Sequence, residues 1–380
     1  MRKIIALIIT VALAISLPVS VKAEEINEKN DFDFSKASIL MCADTGDIIY
    51  ENNAYEHLSP ASVTKIMSIL LVLEAINSGK VSLSDQVSAS QNATAMGGSQ
   101  IWLEVGETMT VDELLKAVVV ASANDACAAL GEYVSGSLPS FIKDMNRRAK
   151  DLGLENTNFE NCTGLDDTST NHYSCAHDLA VIAREVLKYD VIYNYTTIWL
   201  DYLRNGETEL NNTNKLVNTY NGITGLKTGT TSKAGFCICA TARREDMNLI
   251  AVVLGADTSE SRFLTATNLL DYGFANYELY VPDIDEAQIT EVKIVNGIEK
   301  SIKPSYDLFD KILIKKGSGE INYSYTVTES VTAPVNINDS LGEIKLISDN
   351  TELKTIKLYA GKEIPKIKFS YIFKELLNKI

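Results

Sequence analysis

Positive charge is scarce in this 380-residue chain: 35 lysines and arginines stand against 50 aspartates and glutamates, a formal net charge of −15. Without Arg2, Lys3 and Lys22 of the N-terminal segment the remainder carries −18. Phosphate binding needs a basic face, so nucleic acid is excluded as a partner. Histidine is scarcer still, and His57, His172 and His177 show no zinc-site spacing. No metal or cofactor is expected. The six cysteines, Cys42, Cys127, Cys162, Cys175, Cys237 and Cys239, are too scattered for a disulfide framework. Mostly free, buried thiols are expected, with Cys237 and Cys239 on one face of a strand and Cys162–Cys175 the only pair left open. Internal repeats are absent. The apolar run Ile4–Leu17 is short for a membrane span. Behind Arg2 and Lys3, and ahead of Val21-Lys22-Ala23, it reads as a secretory leader (1–23) cut before Glu24, followed by a polar linker (24–34). The protein is therefore expected to be exported.

What is present centres on Leu58–Gly79, LSPASVTKIMSILLVLEAINSG. Ser59 can cap a helix and Pro60 suits its first turn, while Gly79 ends it. The unbroken apolar run Ile69–Leu73 marks a buried central helix. Ser62 and Lys65, three apart, share a face, and a lysine in an apolar setting can activate a serine hydroxyl. Ser-x-x-Lys alone is weak, since Ser140 and Lys143 repeat it. Its weight comes from company: Ser122-Ala123-Asn124 and then Lys227-Thr228-Gly229 follow in order. That ordered trio marks class A β-lactamases and penicillin-binding proteins.

Around these motifs the chain divides plainly. Ser38–Cys42 and Ile48–Tyr50 flank the turn Asp44-Thr45-Gly46-Asp47 and predict a hairpin. Val111–Ala121 predicts a helix with Thr110 and Glu113 as a capping box, and another helix starts at Asp125, so Ser122 and Asn124 fall at a helix–helix junction. Helices continue over 138–152 and 177–187. A polar, Asn-rich passage at 205–222 precedes strands at 225–230, 235–242 and 248–255, then a closing helix at 259–277. Strands at both ends with helices between imply an α/β (α+β) domain: one sheet built from the chain's ends, with an inserted helical lobe and a cleft between them. From Pro282 short apolar or alternating runs predict a small all-β domain. After Pro365 the tail KIKFSYIFKELLNKI puts Phe369, Ile372, Phe373, Leu376, Leu377 and Ile380 on one helical face. It is too short to span a bilayer, and its net charge of +3 suits an anionic lipid surface.

With SPASVTKIM, ASANDAC, NCTGLDD, HYSCAHDLA and GLKTGTTSKAGFC in place, the chain resembles the D-alanyl-D-alanine carboxypeptidases, low-molecular-mass penicillin-binding proteins of serine peptidase type. The resemblance implies a β-lactamase/transpeptidase-like catalytic domain over 35–280, a β-sandwich-like domain over 282–362 and an amphipathic anchor over 365–380, at the outer face of the cytoplasmic membrane. It implies that Ser62 attacks the bond between two D-alanines of a peptidoglycan stem peptide and that β-lactams bind covalently. Lys65 would take the Ser62 proton, its pKa lowered by burial and by the Lys227 charge. Ser122 would relay a proton to the leaving amine, and Asn124 would hold the substrate's amide. Lys227 and Thr228 would meet the terminal carboxylate with Arg262, while Gly229 would let substrate approach the strand. The N–H groups of Ser62 and Thr230 would form the oxyanion hole. Ala123 departs from the glycine of many relatives. Thr163 receives no role.

Two other readings compete. A class A β-lactamase would use Glu155, in Glu155-Asn156-Thr157-Asn158, to activate water, although LGLENTNF follows the carboxypeptidase pattern. A non-catalytic peptidoglycan sensor would require a lost motif residue, and none is lost.

Overall fold

The structure, a computed structural model, describes residues 33–166, 169–307 and 311–369. The leader 1–23, all but the last two residues of the linker 24–34, and residues 370–380 of the tail lie outside these. Ala37–Cys42 (β1) and Ile48–Asn52 (β2) form the expected hairpin, with Gly46 at φ +81° in its turn. The helical lobe holds Lys65–Asn77 (α1), Val111–Val120 (α2), Asn124–Ser135 (α3), Leu138–Asp151 (α4) and Ala176–Val186 (α5). Ile223–Thr231 (β3), Gly235–Arg244 (β4) and Met247–Ala256 (β5) follow, then the closing helix Ser259–Asn276 (α6).

The sheet runs β2-β1-β5-β4-β3, antiparallel throughout, so the first strand meets the last, with Ile39 opposite Val252. Alternation sorts its side chains to two covered faces. Ile39, Met41, Cys237, Cys239, Ile250 and Val252 join the core of the helical lobe. Leu40, Cys42, Ile238, Ala240, Ala251 and Val253 pack with Phe263, Ala266, Leu269 and Leu270 of α6. Burial on both faces explains why these strands read as continuous apolar runs. All six cysteines are free and buried, Cys162 and Cys175 included.

Inside the lobe α1 is buried from Lys65 to Leu73, and Gly79 follows it at φ +74°. Its start differs from the sequence reading. A 3-10 turn, Ala61–Thr64, precedes α1, and Ser59 does not cap it: the Ser59 hydroxyl donates to Asp166 Oδ2 at 3.0 Å. Ala61 at φ +48° breaks the helix that Ser59 and Pro60 would otherwise open. The Thr110–Glu113 capping box of α2 is formed in both directions, at 3.1 and 2.9 Å. Thr208–Asn211, inside the Asn-rich passage, pairs with Leu200–Leu203 as a hairpin. Only Leu203 and Leu210 of its strand residues are buried, which left no apolar alternation to find.

Beyond α6 the described residues are mainly β-strands, with a 3-10 turn at Glu286–Gln288. Tyr277–Tyr280 pairs with Ile312–Lys315, so the segment directly after α6 already shares a sheet with the β region. Val292–Val295, Ser301–Ile302 and Ser330–Thr332 form one three-stranded sheet, and Asn322–Val327, Ser340–Ser348 and Thr351–Tyr359 another. The tail's first residues belong to this part: Ile298 N–H donates to Pro365 O at 3.1 Å and Ile367 N–H to Asn296 O at 2.8 Å. Among the described residues no helix is long and apolar enough to cross a membrane.

Candidate active site

The first and third motifs meet where the sheet's edge strand β3 packs on the turn of Ser62, and the second lies at the junction of α2 and α3. Ser62 lies in the 3-10 turn and is part-exposed, while Lys65, one turn on, is fully buried. Lys65 Nζ lies 3.0 Å from Ser62 Oγ and donates to Thr163 O, also at 3.0 Å. Burial pushes Lys65 down to about 8, because a buried ammonium loses its hydration. Burial first, then the Lys65 and Arg262 charges, hold Lys227 well below the ordinary lysine range.

Thr163 has no role on sequence grounds, yet its carbonyl is the second anchor of Lys65. Asn161 Oδ1 shapes that loop by accepting the N–H groups of Thr163 and Gly164 at 3.1 and 2.7 Å. Gly164, at φ +82°, packs so closely on the Ala61 carbonyl that any side chain would collide with it. A carbonyl ligand carries no side-chain signal, and only the words around it could have pointed there. His172 is likewise without a role in the sequence. Its Nδ1 accepts Glu160 N–H at 3.0 Å, so Nε2 carries the proton and donates to Thr64 Oγ1 at 2.8 Å. Burial lowers His172 to about 4 and keeps it neutral. It is a satisfied core histidine steadying the turn beside Ser62.

Ser122 closes the junction between α2 and α3 at φ +61°, and its buried Oγ has no hydrogen-bond partner among the described residues. Native structures rarely leave a buried hydroxyl unpaired. Asn124 Nδ2 donates to Gly97 O at 2.6 Å and its N–H to Ser99 O at 2.7 Å, leaving buried Oδ1 unpaired. Ala123, at φ −61°, needs no glycine.

Along β3, Lys227 is buried with Nζ donating to Thr228 O at 3.0 Å, and Thr228 Oγ1 donates to Thr213 Oγ1 at 2.7 Å. Gly229 is tight for a reason the sequence does not disclose. A side-chain carbon there would lie 2.8 Å from Ser62 N and 2.9 Å from Pro60 O, so the glycine admits the turn that carries Ser62. Thr230 Oγ1 donates to Gly229 O at 2.7 Å and accepts from Arg262 Nη1 at 3.0 Å. Arg262 Nη1 also reaches Gly229 O and Cys237 O at 3.1 and 3.2 Å, and its guanidinium lies over Phe263 and Phe236. Arg262 is thus buried against β3, with Thr230 between it and the cleft.

Glu155, which the β-lactamase reading required, is solvent-exposed. No group of three His, Cys, Asp or Glu side chains among the described residues could hold a metal ion.

Comparison with known proteins gives the same direction. The family described as D-alanyl-D-alanine carboxypeptidase matches residues 24–258, and that described as Penicillin-binding protein 5, C-terminal domain matches 284–366. D-alanyl-D-alanine carboxypeptidase DacF of Bacillus subtilis is 40% identical over 349 residues, covering 90% of this chain and 89% of the relative. DacC of Escherichia coli is 35% identical over 336 residues, covering 86% and 83%. Penicillin binding protein 5 from Haemophilus influenzae superposes with a TM-score of 0.78 at 29% identity, covering 88% of this chain and 98% of that one. Penicillin-Binding Protein D2 from Listeria monocytogenes, in its ampicillin-bound form, gives 0.58 at 30% identity, covering 64% and 98%.

Proposed function

Because the chain belongs to the D-alanyl-D-alanine carboxypeptidases, a family of serine peptidases, we propose a specific division of labour among its residues in that hydrolysis. Ser62 Oγ attacks the carbonyl between the two terminal D-alanines of a peptidoglycan stem peptide and forms an acyl-enzyme. Lys65, neutral, takes the hydroxyl proton as the bond forms. The single observation carrying this reading is the pair itself: a fully buried amine, 3.0 Å from a part-exposed serine hydroxyl and drawn down to about 8. Ser122, whose hydroxyl has no partner of its own, passes the proton to the departing D-alanine amine. Water then attacks the acyl-enzyme and frees Ser62.

The N–H groups of Ser62 and Thr230 hold the developing oxyanion. Support comes from the contact of Gly229 with the Ser62 turn, which brings strand and nucleophile together. Asn124 Oδ1, also unpaired, accepts an amide N–H of the substrate. Lys227, Thr228 and Thr230 receive the terminal carboxylate, with Arg262 acting on it through the Thr230 hydroxyl. Penicillins and cephalosporins acylate Ser62 by the same attack on their strained amide.

The chain is organised as a secretory leader over 1–23, a linker over 24–34, a catalytic domain over 35–280, a β domain over 282–362 and a membrane-surface anchor in the tail. Export puts the cleft outside the cytoplasmic membrane, where the wall is. The deciding experiment incubates the purified protein with a pentapeptide ending in D-Ala-D-Ala and measures free D-alanine. Release is expected, with Ser62→Ala abolishing both release and covalent β-lactam labelling. Labelling that survives Ser62→Ala would overturn the assignment.

A further inference from the structure

Trp102 is 75% exposed and sits at φ +58°, a backbone conformation that is costly for a bulky side chain and persists only where its surroundings impose it. Here they do. The Asp125 carboxylate accepts the N–H groups on either side, from Ile101 at 3.1 Å and Leu103 at 3.0 Å. Arg204 Nη1 donates to Ile101 O at 2.8 Å and Nη2 to Trp102 O at 3.4 Å. Arg204 is itself fixed by Glu107, at 2.6 and 2.9 Å. The segment is clamped from two directions, and the indole it carries stays in solvent.

The clamp belongs to the cleft. Asp125 follows Asn124 in the chain, and the same loop supplies the Gly97 and Ser99 carbonyls that hold Asn124. Gly98 lies against the Asn124 side chain and Leu165. Trp102 therefore stands on the lobe, three residues along the same clamped loop from the Ser99 carbonyl that holds Asn124. If the substrate's carboxylate end lies at Thr230 and its amide at Asn124, the residue before D-Ala-D-Ala leaves past this loop. A rigid, exposed indole is the kind of surface on which an aliphatic chain packs at little entropic cost.

Resting on the functional reading above, we propose that Trp102 is a specificity-determining residue, whose ring packs on the aliphatic side chain of the residue preceding D-Ala-D-Ala. The test compares kcat/KM for diacetyl-lysyl-D-Ala-D-Ala and acetyl-glycyl-D-Ala-D-Ala. Trp102→Ala should lower the lysyl value by about tenfold and leave the glycyl value within about twofold. Trp102→Phe should keep both within about threefold. Equal losses on the two peptides, or none, would overturn the proposal. A second readout is independent of turnover. The chain has two tryptophans, so Trp199→Phe leaves Trp102 as its only indole. With Ser62→Ala added to stop reaction, saturating lysyl peptide should shift the emission to the blue and glycyl peptide should not. An unmoved spectrum with lysyl peptide overturns the proposal. If the unaltered enzyme released D-alanine from neither peptide, the functional reading would fall and this assignment with it.

Discussion

Lys65 is an amine held where its charge is disfavoured, and this has consequences for both rate and stability. As the proposed base it must be neutral, and the neutral fraction climbs steeply as pH approaches its pKa of about 8. Acylation by a β-lactam, followed by stopped-flow, should therefore rise about tenfold per pH unit below about 8 and level off above it. A flat profile from pH 6 to 9 would remove Lys65 from that role. The same depression is a stability statement. Folded Lys65 binds its proton less well than the unfolded side chain, so the penalty is fully present below about 8 and is relieved as pH rises toward the unfolded value near 10.4. Lys65→Met should be inactive yet more stable at pH 7, by about 1–3 kcal/mol, and should lack the gain in melting temperature between pH 8 and 10. Arg262 belongs to the same scale. Its Nη1 is committed to Thr230 and two backbone carbonyls while its buried Nε has no partner among the described residues, and the proposed role has it act on substrate through the Thr230 hydroxyl. Arg262→Ala should cost roughly tenfold to a hundredfold in kcat/KM on a peptide with a free carboxylate, and much less on the amidated peptide. Equal losses would leave Arg262 a packing residue only.

Between elements, the contact that matters most is the edge strand β3 against the turn of Ser62. Gly229→Ala would drive a methyl into Ser62 N, Pro60 O and Val63 N, all backbone atoms that cannot swing aside. Acylation should fall by about a hundredfold or more, as expected when a reacting group is displaced by an ångström. Far-ultraviolet circular dichroism should be unchanged, because β3 keeps its pairing to β4. Wild-type acylation in that variant would show the strand and the turn to be independent.

Across the whole molecule, the catalytic region and the β region are joined by the pairing of Tyr277–Tyr280 with Ile312–Lys315. Pro365–Ile367 is bonded onto the β region, so a cut before Pro365 would strip backbone partners from Asn296, Gly297 and Ile298. A stop after Lys368 avoids that. The shortened protein is expected in the soluble fraction with unchanged turnover of a soluble peptide, because it loses two phenylalanines, two leucines and two isoleucines that would face lipid. Sedimentation with membranes despite the truncation would refute the anchor.

Local order was legible from the residues alone. The hairpin around Asp44–Asp47, the Thr110 capping box, the closing helix and the apolar strands arise from signals a few residues long, and so does the paired chemistry of Ser62 and Lys65. The family words pointed to Lys227, Thr228 and Arg262 as candidates without any geometry. Only the tertiary structure decided whatever depends on residues far apart in the chain. The start of α1 is set by Ala61 at φ +48° beneath Gly164 and against Gly229, so its local capping signals at Ser59 and Pro60 were overruled. Thr163 serves through a carbonyl that every residue possesses, and only folding brings it to Lys65. The depression of Lys65 likewise comes from burial, a property of the packed lobe rather than of any neighbour in sequence.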